Sequence, residues 1–145
     1  TLCFKSESYD LYCRLIDGRY PQWQQLAIDA NKHPVKISLN KKETMGALQR
    51  LALYETLINI KQIKNGISLT AKDAQDTINT KCECDDDFNV TLSNRLLSDV
   101  ISMCNDNDEI TLHGGLMMDD QKSVHAWQIK IKNKDEAHYI MPYGR

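Results

Sequence analysis

The chain has 145 residues, 41% hydrophobic and 26% charged, with a formal net charge of −2 at neutral pH. That length suits one domain, or one domain plus a piece of another, with enough apolar material for a core. The charge balance excludes a protein that coats nucleic acid through bulk positive charge, and no apolar run approaches the roughly 18 residues of a membrane span.

The chain opens without Met on the strand-like Thr1-Leu2-Cys3-Phe4, and is expected to be a fragment of something longer. Residues 1–7 and 9–17 read as a β-hairpin, with Leu2 and Phe4 alternating, then Leu11, Cys13 and Leu15. Gly18 breaks it, Pro21 opens a short connection through Leu26, and the polar stretch Asp29 to Pro34 marks a domain boundary. Val35, Ile37 and Leu39 then alternate as a strand. Asn40-Lys41-Lys42-Glu43 offers an N-cap with an acid three residues on, so a helix is predicted to about Tyr54. Three strands are predicted next, over Leu57 to Ile63, Gly66 to Ala71 and Thr77 to Cys84, with Asn65-Gly66 as a hairpin turn.

The order then repeats. A strand is predicted over Phe88 to Thr91, with Thr91 as N-cap of a helix over Leu92 to Cys104. A turn at Asn105 to Asp108 leads to strands over Glu109 to His113, Ser123 to Ile131 and Glu136 to Pro142. Strand, helix and three strands, twice over, predict an α+β domain in which two helices pack on antiparallel sheets.

On a helical wheel Met45, Leu48, Leu51 and Ala52 line one side of the first helix, opposite Lys42, Gly46, Gln49 and Arg50. In the second helix Leu92, Leu96, Leu97, Val100, Ile101, Met103 and Cys104 form the apolar side. Asn94, Arg95, Ser98 and Ser102 lie opposite, with Asp99 at the border. Such polar faces ordinarily meet water. A face of amides, hydroxyls and a few basic groups also suits phosphate contacts that carry no sequence information.

Five cysteines fit a reducing cytosol better than a disulfide framework. Cys82 and Cys84 share one face of a strand-like run, followed by Asp85, Asp86 and Asp87, with His113 and His125 further on. One C-x-C without a second pair at a zinc-ligand spacing is better read as two core-facing thiols beside a solvated turn, so no metal site is expected. Nor does a nucleophile–base pair or a Gly-rich phosphate loop appear, and no catalytic residue is expected.

Two stretches set a Pro among aromatic and apolar side chains: Leu15 to Trp23, and the closing His138 to Arg145. An aromatic tail frays unless it docks, so the second is expected to be a closing strand or part of a binding surface.

Three segments carry a family resemblance. They are Leu15-Ile16-Asp17-Gly18-Arg19-Tyr20-Pro21, Asp87-Phe88-Asn89-Val90 and Tyr139-Ile140-Met141-Pro142. In this order and at these separations, on the doubled strand–helix–three-strand pattern, the chain resembles the bacterial sliding clamp, the β subunit of DNA polymerase III. The first segment is similar to that family's L-[VI]-D-G-[RK]-[FY]-P, the second to the G-F-N before a helix of its third domain, and the last to its terminal M-P.

The resemblance spans essentially the whole chain and implies the DNA-clamp fold. Residues 1–33 would be the C-terminal end of the second clamp domain, and 34–145 a complete third domain. It implies a cytoplasmic, non-catalytic processivity factor without cofactor or membrane partner, part of a homodimeric ring around double-stranded DNA. DNA polymerase, clamp loader and repair proteins would dock through linear motifs. Lys42, Gln49, Arg50, Asn94 and Arg95 would face the DNA, and Pro21, Gln25, Leu26, Tyr139, Met141, Pro142 and Tyr143 would line the peptide groove.

The chain departs from the family in several places. Gln25 stands where many members carry a basic residue, and Tyr143-Gly144-Arg145 keeps an Arg but changes its apolar neighbour. The second helix carries a residue or two extra near Leu92–Asn94. A T-D-G-H-R-L-like stretch, which supplies the other groove wall, and the family's first domain are not in this sequence. Two other readings stay open: a stand-alone peptide-binding module, and a metal-dependent nuclease using Asp85, Asp86, Asp87, Asp106 and Asp108.

Overall fold

The structure is a computed structural model, and it describes residues 2–5, 8, 10–13, 32–84, 87–115, 125–132 and 134–143. β1 (Leu2–Lys5) and β2 (Asp10–Cys13) pair antiparallel with Leu2 opposite Cys13, which gives the predicted hairpin.

Two half-units follow. The first is β3 (Val35–Leu39), α1 (Lys41–Leu51), β4 (Leu57–Ile63), β5 (Gly66–Ala71), β6 (Ala74–Asn79) and the short β7 (Cys82–Glu83). The second is β8 (Asn89–Ser93), α2 (Asn94–Ser102), β9 (Ile110–Gly114), β10 (Trp127–Ile131) and β11 (Ala137–Ile140). Each half lends its first strand to the other. β3 pairs antiparallel with β9, so one sheet runs β11-β10-β9-β3-β7; β8 pairs antiparallel with β4, so the other runs β6-β5-β4-β8.

The strand alternation predicted for Val35, Ile37 and Leu39 is the burial pattern seen, because every second side chain of β3 enters the core. Ile58, Ile60, Ile67, Leu69, Ile110, Leu112, Ile129 and Ile131 complete the layer from both sheets, under Leu48, Leu51, Leu97 and Ile101 of the helices. At Gly114 no side chain fits: a Cβ there would lie 2.1 Å from the buried Trp127 ring, which in turn meets Phe88 at 5.8 Å between centroids.

The two helix starts compare differently with the sequence. Asn40 caps α1 as predicted, its Oδ1 accepting from the Glu43 N–H at 3.1 Å. The second cap is Ser93, not Thr91: Ser93 Oγ accepts from the Leu96 N–H, and α2 covers Asn94–Ser102 rather than Leu92 to Cys104. The reason is the strand exchange. Leu92 and Ser93 are still paired with Ile58 and Leu57 across β8–β4, so the helix cannot begin until that ladder ends.

The predicted strand over Thr77 to Cys84 is two strands. β5 and β6 form a tight hairpin with Ala71 opposite Ala74, closed by Lys72 at φ 52°. The chain then leaves the β6-β5-β4-β8 sheet at Thr80-Lys81, and β7 joins β3 in the other, with Ile37 opposite Cys82. The Ser38 N–H donates to Lys81 O at 3.0 Å at this crossing.

Candidate functional site

The two helices lie side by side, and their contacts fix their relative direction. Asn94, first residue of α2, donates from Nδ2 to Leu48 O near the end of α1 at 3.0 Å. Lys41, first residue of α1, donates from Nζ to Cys104 O just past the end of α2 at 2.5 Å. Each helix start thus reaches the other's end, which makes the pair antiparallel. The Lys41 ammonium also places a positive charge where α2's carbonyls are unsatisfied, a favourable match to the helix dipole.

Of the five residues expected to face DNA, four meet solvent. Lys42, Gln49 and Arg50 lie on the exposed side of α1, and Arg95 on that of α2. Asn94 does not. It is 2% exposed, its Oδ1 accepts from Ser98 Oγ at 3.1 Å, and its amide is committed to Leu48, so it joins the helices instead of meeting phosphate. Asn94 stands three and seven residues before Leu97 and Ile101, so it shares their buried face of α2, and the expected placement opposite them was wrong. That face packs against α1, where the Asn94 amide meets Leu48 O.

The charge on this face is largely matched. Arg50 Nε donates to Asp76 Oδ2 at 2.7 Å; this bond holds the Asp76 carboxyl below its ordinary range and raises the guanidinium. Arg95 lies 3.8 Å from Asp99 one turn on, a solvated pair of little energetic weight. Lys42 makes no ion pair with a described residue. Three apolar predictions also shift outward: Leu96 and Met103 are 49% and 62% exposed, and Ala52 is exposed.

The tail is the second feature. β11 pairs with β10 so that Tyr139 sits opposite Gln128, whose Nε2 donates to the Tyr139 hydroxyl at 2.9 Å. Ile140 is buried, Met141 is half exposed, and the Tyr143 N–H donates to Thr91 O of β8 at 2.9 Å. The tail therefore leaves the edge of one sheet and docks on the edge of the other. This is the same move by which the chain passes from β6 to β7 in the first half. Met141 and Tyr143 present half-exposed apolar surface beside the half-buried Tyr139 and Pro142. Pro21, Gln25 and Leu26, the other expected groove residues, lie outside the described residues.

Cys82 and Cys84 pack against the core as half-buried thiols, as one reading of the C-x-C had it. Among the described residues no group of three or more His, Cys, Asp or Glu is arranged to hold a metal ion, and no helix is long and apolar enough to cross a membrane. Asp85 and Asp86 lie outside the described residues. Asp108 is held in its turn by the Asn105 N–H at 2.8 Å and Lys134 Nζ at 3.0 Å, and these bonds lower its carboxyl. Lys41 is the residue missed by sequence reasoning; its neighbours Lys42 and Glu43 gave no sign that only the first Lys turns inward.

Two half-units exchanging their first strands, with two antiparallel helices across two sheets, define the DNA-clamp fold. The same fold occurs in solved bacterial DNA polymerase III β subunits. The chain superimposes with a TM-score of 0.77 on that of Borrelia burgdorferi, solved in complex with a natural product, at 15% identity over 99% of this chain and 38% of that one. For the DNA polymerase sliding clamp of Bacillus subtilis the TM-score is 0.72, at 19% identity over 99% and 38% of the two chains. For the β subunit of Streptococcus pyogenes it is 0.70, at 15% identity over 99% and 39%. The chain spans between 36% and 41% of the length of the similar structures. No protein-family model matches this sequence, and no curated protein matches it.

Proposed function

We propose that this chain is the C-terminal portion of a sliding clamp, a non-catalytic processivity factor of cytoplasmic DNA replication. Residues 1–33 are the end of a second clamp domain and 34–145 a third. With the remaining domains the chain helps close a homodimeric ring around duplex DNA. α1 and α2 face the hole, where Lys42, Gln49, Arg50 and Arg95 make contacts without sequence preference. The tail, with Tyr139, Met141, Pro142 and Tyr143, forms one wall of a groove for linear motifs of a polymerase, a clamp loader or repair proteins; Pro21, Gln25 and Leu26 complete that side.

The observation that carries this reading is the reciprocal strand exchange, matched over 99% of the chain to clamps of several bacteria. The matched charges on the helix face support it too, since a topological tether does not need tight binding. The test is retention of the full-length gene product, loaded by its clamp loader, on circular and on linear DNA. A clamp stays on the circle through a high-salt wash and slides off the linear form. Equal loss from both sinks the proposal.

A further inference from the structure

We propose that Cys82 and Cys84 form a reversible intrachain disulfide, an oxidation site at the point where the chain crosses between sheets. The two Sγ atoms are already 4.0 Å apart, at the start of β7 and just past its end, and both side chains are half-buried, so a small oxidant can reach them. Cys84 Sγ donates to Gln62 Oε1 at 2.7 Å, which holds its thiol on the side facing Cys82. Burial, and then the neighbouring Cys84, push the Cys82 thiol up to about 12. Cys84, just past the end of β7, is assigned as the first nucleophile, and Cys82, inside the strand, as the resolving thiol.

The step is a thiol–disulfide exchange with a small-molecule disulfide such as oxidised glutathione. The Cys84 thiolate attacks one glutathione sulfur and expels a glutathione thiolate, which takes up the proton Cys84 gave. The Cys82 sulfur then loses its proton, attacks Cys84 Sγ and expels the second glutathione. Two protein thiols are oxidised to one disulfide, and one glutathione disulfide is reduced to two thiols. Once Cys84 carries glutathione its thiolate no longer opposes ionisation of Cys82, so the second step is easier than the resting thiol implies.

The backbone makes the bridge consequential. Cα atoms two apart in an extended strand are separated by roughly 6.6 Å, near the roughly 6.8 Å upper limit for a disulfide. Closing the bridge contracts the chain about Glu83. That draws β7 from β3, where it is held by only two register pairs, Lys36 with Glu83 and Ile37 with Cys82. β7 is a sheet edge, so the rest of the core is not disturbed.

The test is equilibration of the native chain in oxidised and reduced glutathione, followed by alkylation, proteolysis and mass spectrometry. The expected product is a Cys82–Cys84 bridge lighter by two hydrogens, reversed by excess reduced glutathione, with Cys82→Ser trapping a stable glutathione adduct on Cys84. Hydrogen exchange of the Ser38 amide, bonded to Lys81 O, should accelerate by about tenfold on oxidation, as local opening at an edge allows. The proposal is overturned if the pair stays reduced or stops at the mixed disulfide under conditions that bridge the unfolded chain, or if the bridges map to Cys3, Cys13 or Cys104.

Discussion

Asn94→Ala separates a helix-joining amide from a DNA contact, because the two roles move different measurements. The side chain makes two hydrogen bonds, to Leu48 O at 3.0 Å and from Ser98 Oγ at 3.1 Å, in a position 2% exposed. Each such bond contributes about 1 kcal/mol net. Leu48 O keeps its helical partner, the Ala52 N–H at 2.9 Å, so no carbonyl is orphaned. Alanine recovers about 0.5 kcal/mol in helix propensity. The net loss is then about 1.5 kcal/mol, a fall in Tm of about 5 °C for a domain of this size. Urea melts followed by circular dichroism give the stability; fluorescence anisotropy of a labelled duplex over a salt series gives DNA affinity. Stability should fall with an unchanged m-value, and the salt slope should not move. An unchanged melt together with weakened DNA binding would show that Asn94 faces solvent after all.

Asp76→Asn should strengthen duplex binding and steepen the log K against log salt slope by about 0.9, since it releases Arg50 for one phosphate. The same variant tests pH linkage. A carboxyl held below its ordinary value adds stability above its unfolded pKa, near 3.8, and loses it as pH falls through the lower folded value, so the variant's melts should vary less with acid below about pH 4. Gly114→Ala forces a methyl against Trp127 and should cost about 1–3 kcal/mol in urea melts, unless β9 shifts outward. Cutting the chain after Met141 removes the Tyr143–Thr91 bond and should cost only about 1 kcal/mol. Cutting after Tyr139 also removes the buried Ile140 and should cost about 2–5 kcal/mol more, read by thermal melts of the two truncations.

Local chemistry was legible wherever a residue acts on its own neighbourhood. Asn40 announces a helix because its side chain bonds three residues ahead, and Asn65-Gly66 marks a hairpin whose two-residue loop is Lys64-Asn65, one residue earlier, with Gly66 already paired opposite Ile63. The hairpin at Lys72 carried no such mark, since neither Lys72 nor Asp73 is a Gly or Asn, and the strand starting at Ala74 was missed with it. The displaced cap at Ser93 has a different cause: pairing of Leu92 and Ser93 to the distant Ile58 and Leu57 outweighs the cap preference of Thr91. The inward turn of Lys41 likewise depends on the partner helix, whereas the burial of Asn94 was legible in its spacing of three and seven residues from Leu97 and Ile101. Three of the seven expected groove residues, Pro21, Gln25 and Leu26, lie outside those described, and the comparison with the sequence is of the tail side.

The strand exchange has a consequence for how the chain can be divided. Neither half owns a complete sheet: residues 35–84 lack β8, and residues 87–143 lack β3. A cut in the connection near residues 85–86 would leave two peptides, each with an open edge shaped for a strand the other carries. Mixed together, they should restore the fold by complementation, at a rate that depends on both concentrations. In the intact chain these pairings join residues as remote in sequence as Val35 and Gly114, or Leu57 and Ser93, so folding waits on distant segments meeting, and the halves become ordered in one concerted event rather than in turn.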